Sequence, residues 1–259
     1  MKKIVSIVVV VGLLIGLTTF NACKTTPKAA DTVAAVDTTL NYLTAQEKAE
    51  GWILMFDGKT TTGWRGYNKP AFPDSGWVVE DGTLRCIGSG QGEAGGKGGD
   101  IIFDQKFTNF LLSLEWKISP GGNSGIFYLG EEIPGEPIWK SAPEMQILDD
   151  AKHPDANMGK DGNRKAGALY DLIPSKVAED TAGTWNKAEV MVYQGTVVHK
   201  LNGETALEYH LGTPDWEKMI KASKFSTFPE FGKIRAGVIC LQDHGNDVWF
   251  RNIKIKPLQ

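Results

Sequence analysis

Residues 142–157, APEMQILDDAKHPDAN, concentrate ionisable side chains that can do chemistry within a short stretch of chain. Glu144 and Asp149 carry carboxylates, and His153 carries an imidazole that titrates near neutral pH. Carboxylates and imidazoles exchange protons with a reacting substrate, and they also bind divalent cations. The stretch therefore has three interpretations, which are proton transfer, a metal site, or a strand that ends in a polar loop.

Apolar and polar residues alternate at the start of this stretch, as they do in a β-strand. Because successive strand side chains point to opposite faces, Glu144 and Gln146 share one face, about 7 Å apart. Met145 and Ile147 share the other face, which we expect to pack in the core. Glu144 and Gln146 then lie on the exposed face, where Glu144 is either a catalytic group or an ordinary polar residue.

A second polar stretch, AGVICLQDHGNDVWF, lies near the C-terminus at residues 236–250. The same alternation places Gln242 and His244 on one face with Cys240, whereas Asp243 points away or lies in the turn. His244 suits proton transfer near neutral pH, but a histidine between Asp243 and a glycine is also typical of a turn.

The other histidines have less specific surroundings. His199 alternates with Val197 and Leu201, so it is either a catalytic candidate or a half-buried strand residue. His153 lies in a loop, where it is a lid contact, a ligand or a residue without a role at the site. His210 has no neighbours that suggest chemistry.

Aromatic side chains at the ends of strand-like runs can stack against sugar rings, while nearby amides and carboxylates bind the hydroxyls. The residues in such positions are Trp64, Trp139, Trp185 and Tyr170. Those in the middle of runs, where we expect core packing, are Trp77, Trp116 and Trp249.

Several function classes lack their sequence signals. The Gly-rich segment 88–100 is not a phosphate-binding loop, because Lys97 is followed by Gly98 and no helix is predicted after it. We interpret it as a flexible strand connection that can border a ligand. Neither a GxSxG nor an HExxH motif is present. The formal charge is −3 without a basic cluster, which argues against a nucleic-acid partner.

The elements that must position these residues are predicted to be mostly β-strands. Short runs rich in Val, Ile, Phe, Tyr and Trp recur between turn residues, and helical periodicity is scarce. This pattern predicts an all-β sandwich or jelly roll of two antiparallel sheets. The predicted strand regions are 76–88, 100–105, 110–118, 124–130, 144–149, 187–203 (a hairpin), 233–242 and 248–256.

Two longer segments, 150–184 and 204–232, are predicted to be irregular and to form the rims or lids of a site. One short helix is predicted near the start of the domain, because Thr44-Ala45-Gln46-Glu47 matches a capping box. This helix should extend to about Gly51.

The N-terminus predicts export and a lipid anchor. Lys2 and Lys3 precede an apolar run, and the small residue Ala22 comes before Cys23, as in a secretory signal at residues 1–22. Cys23 is the predicted lipidation site of an outer-membrane lipoprotein on the periplasmic or cell-surface side, the alternative being an uncleaved anchor. Residues 23–45 are a predicted tether to a domain at 46–259.

Two cysteines remain in the domain. Cys86 and Cys240 each lie in an apolar strand-like run, so a disulfide and two buried thiols are both open.

The motif GWILMFDGK at residues 51–59, followed by Gly63-Trp64, resembles the opening of the 3-keto-disaccharide hydrolase domain family. The resemblance continues from about residue 50 to the end of the chain. It implies a concanavalin A-like jelly roll and a sugar substrate oxidised at carbon 3, in a secreted lipoprotein. The other motifs that match are GWVVEDGTL (76–84), FLLSLEWKISPGGNSGIFYLG (110–130), PEMQILD (143–149), ALYDLIP (168–174), TWN (184–186), HKLNG (199–203), SKF (223–225) and LQDHGNDVWFRNIKIK (241–256).

Such a substrate implies a specific chemistry. A ketone at carbon 3 acidifies the proton on carbon 2, a base removes that proton, the enolate expels the glycosidic oxygen from carbon 1, and water adds back. The protein must then supply a base, an acid and groups that stabilise the enolate oxygen. The candidate base and acid set is Glu144, His244 and His199.

The remaining candidates bind the substrate or a metal ion. A divalent cation could stabilise the enolate, with Glu144, Asp149 or His153 as ligands, although no spacing defines a metal site. The candidate substrate-binding residues are the donors Gln146, Asn123, Gln242 and Lys224, together with Tyr170, Trp139, Asp149 and His153.

Three functions remain open from the sequence. The first is cleavage of 3-keto-glycosides by elimination and hydration. The second is a carbohydrate-binding lipoprotein without catalysis, because jelly rolls often only bind. The third is a conventional glycoside hydrolase.

Overall fold

The computed structural model describes residues 40–90, 96–177 and 182–259. Within these ranges the chain folds mainly into antiparallel strands, which short turns connect. The strands are β1 (Ile53–Leu54), β2 (Trp64–Gly66), β3 (Trp77–Glu80), β4 (Thr83–Cys86), β5 (Ile101–Phe103), β6 (Phe110–Ile118), β7 (Asn123–Gly130), β8 (Glu144–Leu148), β9 (Asn186–Tyr193), β10 (Thr196–Leu201), β11 (Glu204–His210), β12 (Val238–Leu241) and β13 (Val248–Pro257).

The strands form two sheets. The larger sheet has the order β11-β10-β9-β6-β13-β4-β3, with β1 also paired to β13. The smaller sheet has the order β2-β5-β12-β7-β8. All pairings between these strands are antiparallel. The predicted jelly-roll sandwich of two antiparallel sheets is confirmed.

The alternation of side chains explains how the larger sheet buries one face. In β9 and β10, buried residues alternate with partly or fully exposed ones. Gln194 and Gly195 join these two strands, and both have positive φ angles, 48° and 85°. Two such residues are what a two-residue hairpin turn requires, so the predicted hairpin is confirmed.

The core lies between the two sheets and is rich in aromatic side chains. Trp116, Phe110 and Phe250 from the larger sheet are completely buried in it, as are Ile126 and Ile147 from the smaller sheet. Burial of this apolar surface is the main force that holds the sandwich together. The predicted core positions of Trp77 and Trp116 are confirmed, at 3% and 0% exposure.

The second face of the smaller sheet is also covered, which differs from the predicted wet face. Every residue of β7 and β8 is buried. A separate apolar cluster lies on this face, including Phe127, Cys240 and Val238, with Ile138 from the 3-10 helix Ile138–Lys140. The segments after β8 and after β11 also reach this face, through residues that include Tyr170 and Phe225.

The predicted N-terminal helix is present as α1 (Ala45–Ala49). Both hydrogen bonds of the capping box are formed, one from the Glu47 N–H to the Thr44 Oγ1 and one from the Thr44 N–H to Glu47. The helix ends two residues earlier than predicted.

The prediction of an irregular segment over 204–232 is wrong in its first half. Residues 204–210 form β11, and α2 (Pro214–Lys221) follows, with Thr213 as its N-cap and Pro214 in its first turn. A bulge between His199 and Lys200 shifts the β10–β11 register, which obscures the alternation in the sequence. The 3-10 helix Lys224–Thr227 follows α2.

The packed domain begins before the predicted boundary at residue 46. Asn41 is buried, and its backbone and side chain exchange two hydrogen bonds with Asn252 on β13. The predicted signal and lipidation site at residues 1–23 lie outside the described residues. In the part of the chain that is described, no helix is sufficiently long and apolar to cross a membrane.

The two domain cysteines do not form a disulfide. Cys86 lies on β4 in the larger sheet and Cys240 on β12 in the smaller one, and both are buried free thiols. Burial raises the pKa of both thiols above the ordinary range.

Candidate active site

A pocket of about 430 Å³ opens on the outer face of the smaller sheet. One side of its lining is polar and the other is aromatic. The lining includes eight residues that the sequence predicted for the site, namely Glu144, Gln146, Asn123, Gln242, His244, Lys224, Tyr170 and Trp139. It also includes residues that were not predicted, namely Asp100, Asp243, Pro137, Ala142, Phe225, Phe228 and Phe231.

The strand register explains why distant residues meet on the pocket floor. Gly125 on β7 is paired with Gln146 on β8, and its carbonyl accepts a hydrogen bond from the Gln242 N–H at the end of β12. Asp100 precedes Ile101, which is paired with Leu241, so Asp100 lies beside Gln242. One row across four adjacent chain segments therefore carries Asp100, Gln242, Gly125 and Gln146.

Glu144 lies two residues from Gln146 on the same face, and its side chain extends toward β7. A Cβ atom on residue 125 would collide with the Glu144 Oε1, so the carboxyl group occupies the space that Gly125 leaves open. Glu144 is only 8% exposed. The predicted alternation of β8 is therefore confirmed, but the residue is buried in the pocket floor rather than exposed.

Burial determines the protonation of Glu144. It raises the pKa of this carboxyl group to about 8, because few waters remain to stabilise the charge. The positive charge of Lys224 lowers the pKa, and the negative charges of Asp100 and Asp155 raise it further. Glu144 is consequently protonated in most molecules at neutral pH and can gain or lose a proton near that pH.

Amide groups surround Glu144 on the floor. The Gln146 Nε2 lies 3.4 Å from the Asn123 Oδ1. The Oε1 of Gln242 is buried and accepts no hydrogen bond from the residues that the structure describes. A buried carbonyl oxygen without a donor is costly, so this atom is suited to accept a hydrogen bond from a ligand hydroxyl.

Lys224 and Tyr170 come from the two long segments and form one wall. The Lys224 Nζ lies 4.3 Å from the centre of the Tyr170 ring and 3.3 Å from Asp171. The Tyr170 hydroxyl donates to Asp155, which also pairs with Arg164. These contacts fix the direction in which the ammonium group points.

Aromatic rings form the opposite wall. Trp139 packs edge-to-face on Phe228 at 5.2 Å between ring centres, and Phe225 stacks on Phe231 at 4.0 Å. Trp139 is 38% exposed, so part of its ring is open to a ligand. Flat apolar faces beside a polar floor are typical of pockets that bind sugars.

Asp243 connects the Gly-rich segment to the pocket. Its carboxylate accepts hydrogen bonds from the N–H groups of Gly98, Gly99 and Gly245, and its own N–H donates to the Asp100 Oδ1. Of the two alternatives for Asp243, the structure supports the turn, because β12 ends at Leu241, where strict alternation stops. No spacing in the sequence indicated Asp100.

His199 does not reach the pocket, so its placement does not support a catalytic role. It is 0% exposed in the core, where its ring nitrogens lie 2.7 Å from the Tyr128 hydroxyl and 3.1 Å from the Gly167 carbonyl oxygen. Burial lowers the pKa of His199 to about 4, which keeps the ring neutral. Its alternation with Val197 and Leu201 reflected core packing.

Asp149 and His153 are also absent from the pocket lining. The Asp149 carboxylate accepts hydrogen bonds from the N–H groups of Gly121, Ala151 and Lys152, so it holds the turn after β8. His153 is the N-cap of the 3-10 helix Pro154–Asn157 and accepts from the Asp155 N–H. Their side chains stabilise loops.

The three possible cation ligands are not brought together in the structure. Glu144 and Asp149 are five residues apart on an extended strand, which separates their Cα atoms by about 16 Å. No cluster of three His, Cys, Asp or Glu side chains within residues 40–90, 96–177 and 182–259 is placed to hold a metal ion.

Two of the predicted sugar-stacking tryptophans lie elsewhere. Trp64 is buried in the core and donates to the Met55 carbonyl. Trp185 lies under Arg251, whose guanidinium is 3.9 Å from the ring centre. Trp249, predicted in the core, is partly exposed, with Arg85 and Lys117 on its ring. The rings of Trp185 and Trp249 are thus covered by cationic side chains of the protein itself.

Comparisons with known proteins agree with this architecture. Residues 51–256 match the family described as the 3-keto-alpha-glucoside-1,2-lyase-like domain. The chain belongs to this family. A 3-keto-disaccharide hydrolase from Bacteroides thetaiotaomicron is 52% identical over 232 residues, which cover 81% of this chain and 79% of that protein.

Two solved structures from Parabacteroides distasonis, both described as candidate glycosyl hydrolases, share the fold of this family member. The first has a TM-score of 0.74 and 34% identity, and the match covers 85% of this chain and all of that one. The second has a TM-score of 0.55 and 27% identity, covering 75% and 99% of the two chains. The predicted family resemblance is confirmed.

The raised pKa of Glu144 predicts a pH-dependent cost to stability in this family member. The unfolded carboxyl group ionises near pH 4.5 and the folded one near pH 8, so stability falls as pH rises between these values. Because glutamine does not ionise, the unfolding free energy of Glu144→Gln should increase relative to that of the wild type by up to roughly 1.4 kcal/mol for each pH unit in this window. Urea unfolding at pH 5 to 8 measures the difference, and a pH-independent difference would contradict the assignment.

Proposed function

We propose that this chain cleaves the glycosidic bond of 3-keto-glycosides, including 3-keto-disaccharides, by removing the proton on carbon 2. The observation that carries this proposal is the buried carboxyl group of Glu144, with a pKa of about 8, on the floor of a sugar-sized pocket. The name of the B. thetaiotaomicron relative supports the substrate class.

Glu144 is the proposed base. The ketone at carbon 3 makes the carbon 2 proton acidic, because the resulting carbanion is delocalised onto the ketone oxygen. A carboxylate with a pKa of about 8 is a stronger base than an ordinary glutamate, although only a minority of molecules is ionised at pH 7. The raised pKa thus makes the Glu144 carboxylate more basic but lowers the fraction of molecules in which it is ionised.

The developing enolate oxygen needs hydrogen-bond donors or positive charge. His244, the amide of Gln242 and the amide of Gln146 lie beside Glu144 in the pocket lining. Asp171 positions the ammonium group of Lys224, and Lys224 also lines the pocket. We propose that these groups bind the carbon 3 oxygen and the neighbouring hydroxyls, with Asn123 holding Gln146 in place.

Elimination and hydration complete the proposed reaction. The enolate forms a double bond between carbons 1 and 2 and expels the glycosidic oxygen. Water then adds to carbon 1 and a proton returns to carbon 2, which releases the 3-keto sugar. The net reaction is a hydrolysis.

We also propose that the enzyme works outside the cytoplasm as a lipoprotein of the outer membrane. The support is the sequence of residues 1–22, which has the features of a secretory signal, and Cys23 directly after it. Residues from 24 to about 40 would then separate the lipid from the domain.

A panel of sugars distinguishes the proposed function from its alternatives. We expect turnover of 3-keto-trehalose and 3-keto-sucrose, but not of trehalose or sucrose. The same assays with and without a chelator show whether a divalent cation takes part. Binding without turnover would identify a carbohydrate-binding protein. Cleavage of the unoxidised sugars would identify a conventional glycoside hydrolase. Product release can be followed by chromatography.

Gly125→Ala should disable the site by moving Glu144, although residue 125 carries no reactive group. The new Cβ collides with the Glu144 carboxyl group, and a displacement near 1 Å can cost about 100-fold in rate. We therefore expect kcat/KM on 3-keto-trehalose to fall about 100-fold.

Gly130→Ala is the matched control on the same strand, because its Cβ would meet Ile138, an apolar side chain, and not Glu144. It should lose stability but keep most activity. Full activity of Gly125→Ala would show that the carboxyl position is not critical.

A further inference from the structure

Asp100 faces Glu144 across the pocket floor. Both residues lie on the same face of the smaller sheet. Asp100 directly precedes β5 and Glu144 lies on β8, with β12 and β7 between them. Glu144 extends over β7, where it fills the space above Gly125. The Asp100 Oδ1 accepts the Asp243 N–H at 3.0 Å, which draws its carboxyl group toward the end of β12. About one to two strand spacings, roughly 5–10 Å, then separate the two carboxyl groups.

The second oxygen of Asp100 is available to a ligand. Asp100 lines the pocket and is half-buried. Its Oδ2 has no hydrogen-bond partner among the residues that the structure describes, whereas its neighbour Asp243 is occupied by three glycine N–H groups. Asp100 is thus held through one oxygen, which leaves the other able to bond to a ligand in the pocket.

The proposed reaction requires a second proton-transfer group. In an α-glucoside chair, the carbon 2 proton and the glycosidic oxygen are both axial and point to opposite faces of the ring. A single side chain on one face cannot serve both positions. An alcohol leaving group is also strongly basic, so its departure is slow unless an acid protonates it.

We propose that Asp100 is the acid that protonates the glycosidic oxygen while Glu144 acts on carbon 2, with the sugar ring edge-on between the two carboxyl groups, an inference that rests on the proposed function. Burial, with a smaller contribution from the Asp243 charge, raises the pKa of Asp100 to about 7, and the Asp243 N–H lowers it. A substantial fraction of Asp100 therefore carries a proton at neutral pH.

The proton balance closes over one cycle. Glu144 takes the carbon 2 proton, the electron pair of the C–H bond becomes the double bond between carbons 1 and 2, and the C1–O bond breaks as Asp100 gives its proton to oxygen. Asp100 then removes a proton from the water that adds to carbon 1, and Glu144 returns its proton to carbon 2. Both residues regain their starting states.

The test compares poor and good leaving groups in Asp100→Asn. The Asn Oδ1 can still accept the Asp243 N–H, so the fold should be kept. For 3-keto-trehalose, which has an alcohol leaving group, we expect kcat/KM to fall by about 100-fold or more. For the 3-keto 4-nitrophenyl α-glucoside, whose phenolate needs no proton, we expect a loss below about 10-fold.

Equal losses on both substrates, or no loss on 3-keto-trehalose, would overturn the assignment of Asp100. Absence of wild-type turnover on either substrate would instead reject the proposed function, and the inference with it. Asp104→Asn is the control, because Asp104 is exposed, pairs with Arg65 and lies four residues away. It should leave both substrates unaffected.

A second variant separates an acid from a structural residue. Asp100→Ala removes the carboxyl group, and we expect added formate to restore part of its turnover of 3-keto-trehalose. A purely structural role would not respond to formate, so the absence of rescue in a folded Asp100→Ala protein would count against the proposal.

Discussion

The burial of one carboxyl group is the constraint on which the site depends. Glu144 lies on a strand in which every residue is buried, and its carboxyl group occupies the space above Gly125 on the neighbouring strand. A charge in this position is poorly solvated, and its pKa rises to about 8. The buried carboxyl group lowers the stability of the fold near neutral pH, but its ionised form is a stronger base than an ordinary glutamate. The other polar groups of the site lie around the Glu144 carboxyl group.

The sandwich provides the rigidity that this arrangement needs. The inner face of the smaller sheet packs against the larger sheet, which leaves its outer face to carry the pocket. The register of β7 with β8 and β12 positions the floor, while the walls come from the long segments that contribute Tyr170 and Lys224. Hydrogen bonds along strands fix the floor residues more firmly than loops could, which suits groups that must transfer protons.

The sequence predicted those parts of the molecule that depend on local patterns. The strand alternation placed Glu144 and Gln146 on one face, and the capping box located α1, because both patterns arise within a few residues. Residues that meet through strand pairing were harder. Asp100 reaches the pocket through the β5–β12 register, and the role of Gly125 appears only when its neighbour on β8 is known. His199 illustrates the opposite case, because a histidine that alternates with apolar residues proved to be a neutral core residue bonded to Tyr128.

The isotope effect at carbon 2 tests the central claim most directly. If Glu144 removes the carbon 2 proton, kcat/KM should be lower for 3-keto-trehalose that carries deuterium at carbon 2 of the oxidised ring than for the unlabelled sugar, because a C–D bond breaks more slowly than a C–H bond. Glu144→Gln should lose the turnover of both substrates. Turnover by Glu144→Gln at the wild-type rate, with no isotope effect at carbon 2, would contradict this account, because the glycosidic bond would then be cleaved without transfer of that proton to Glu144.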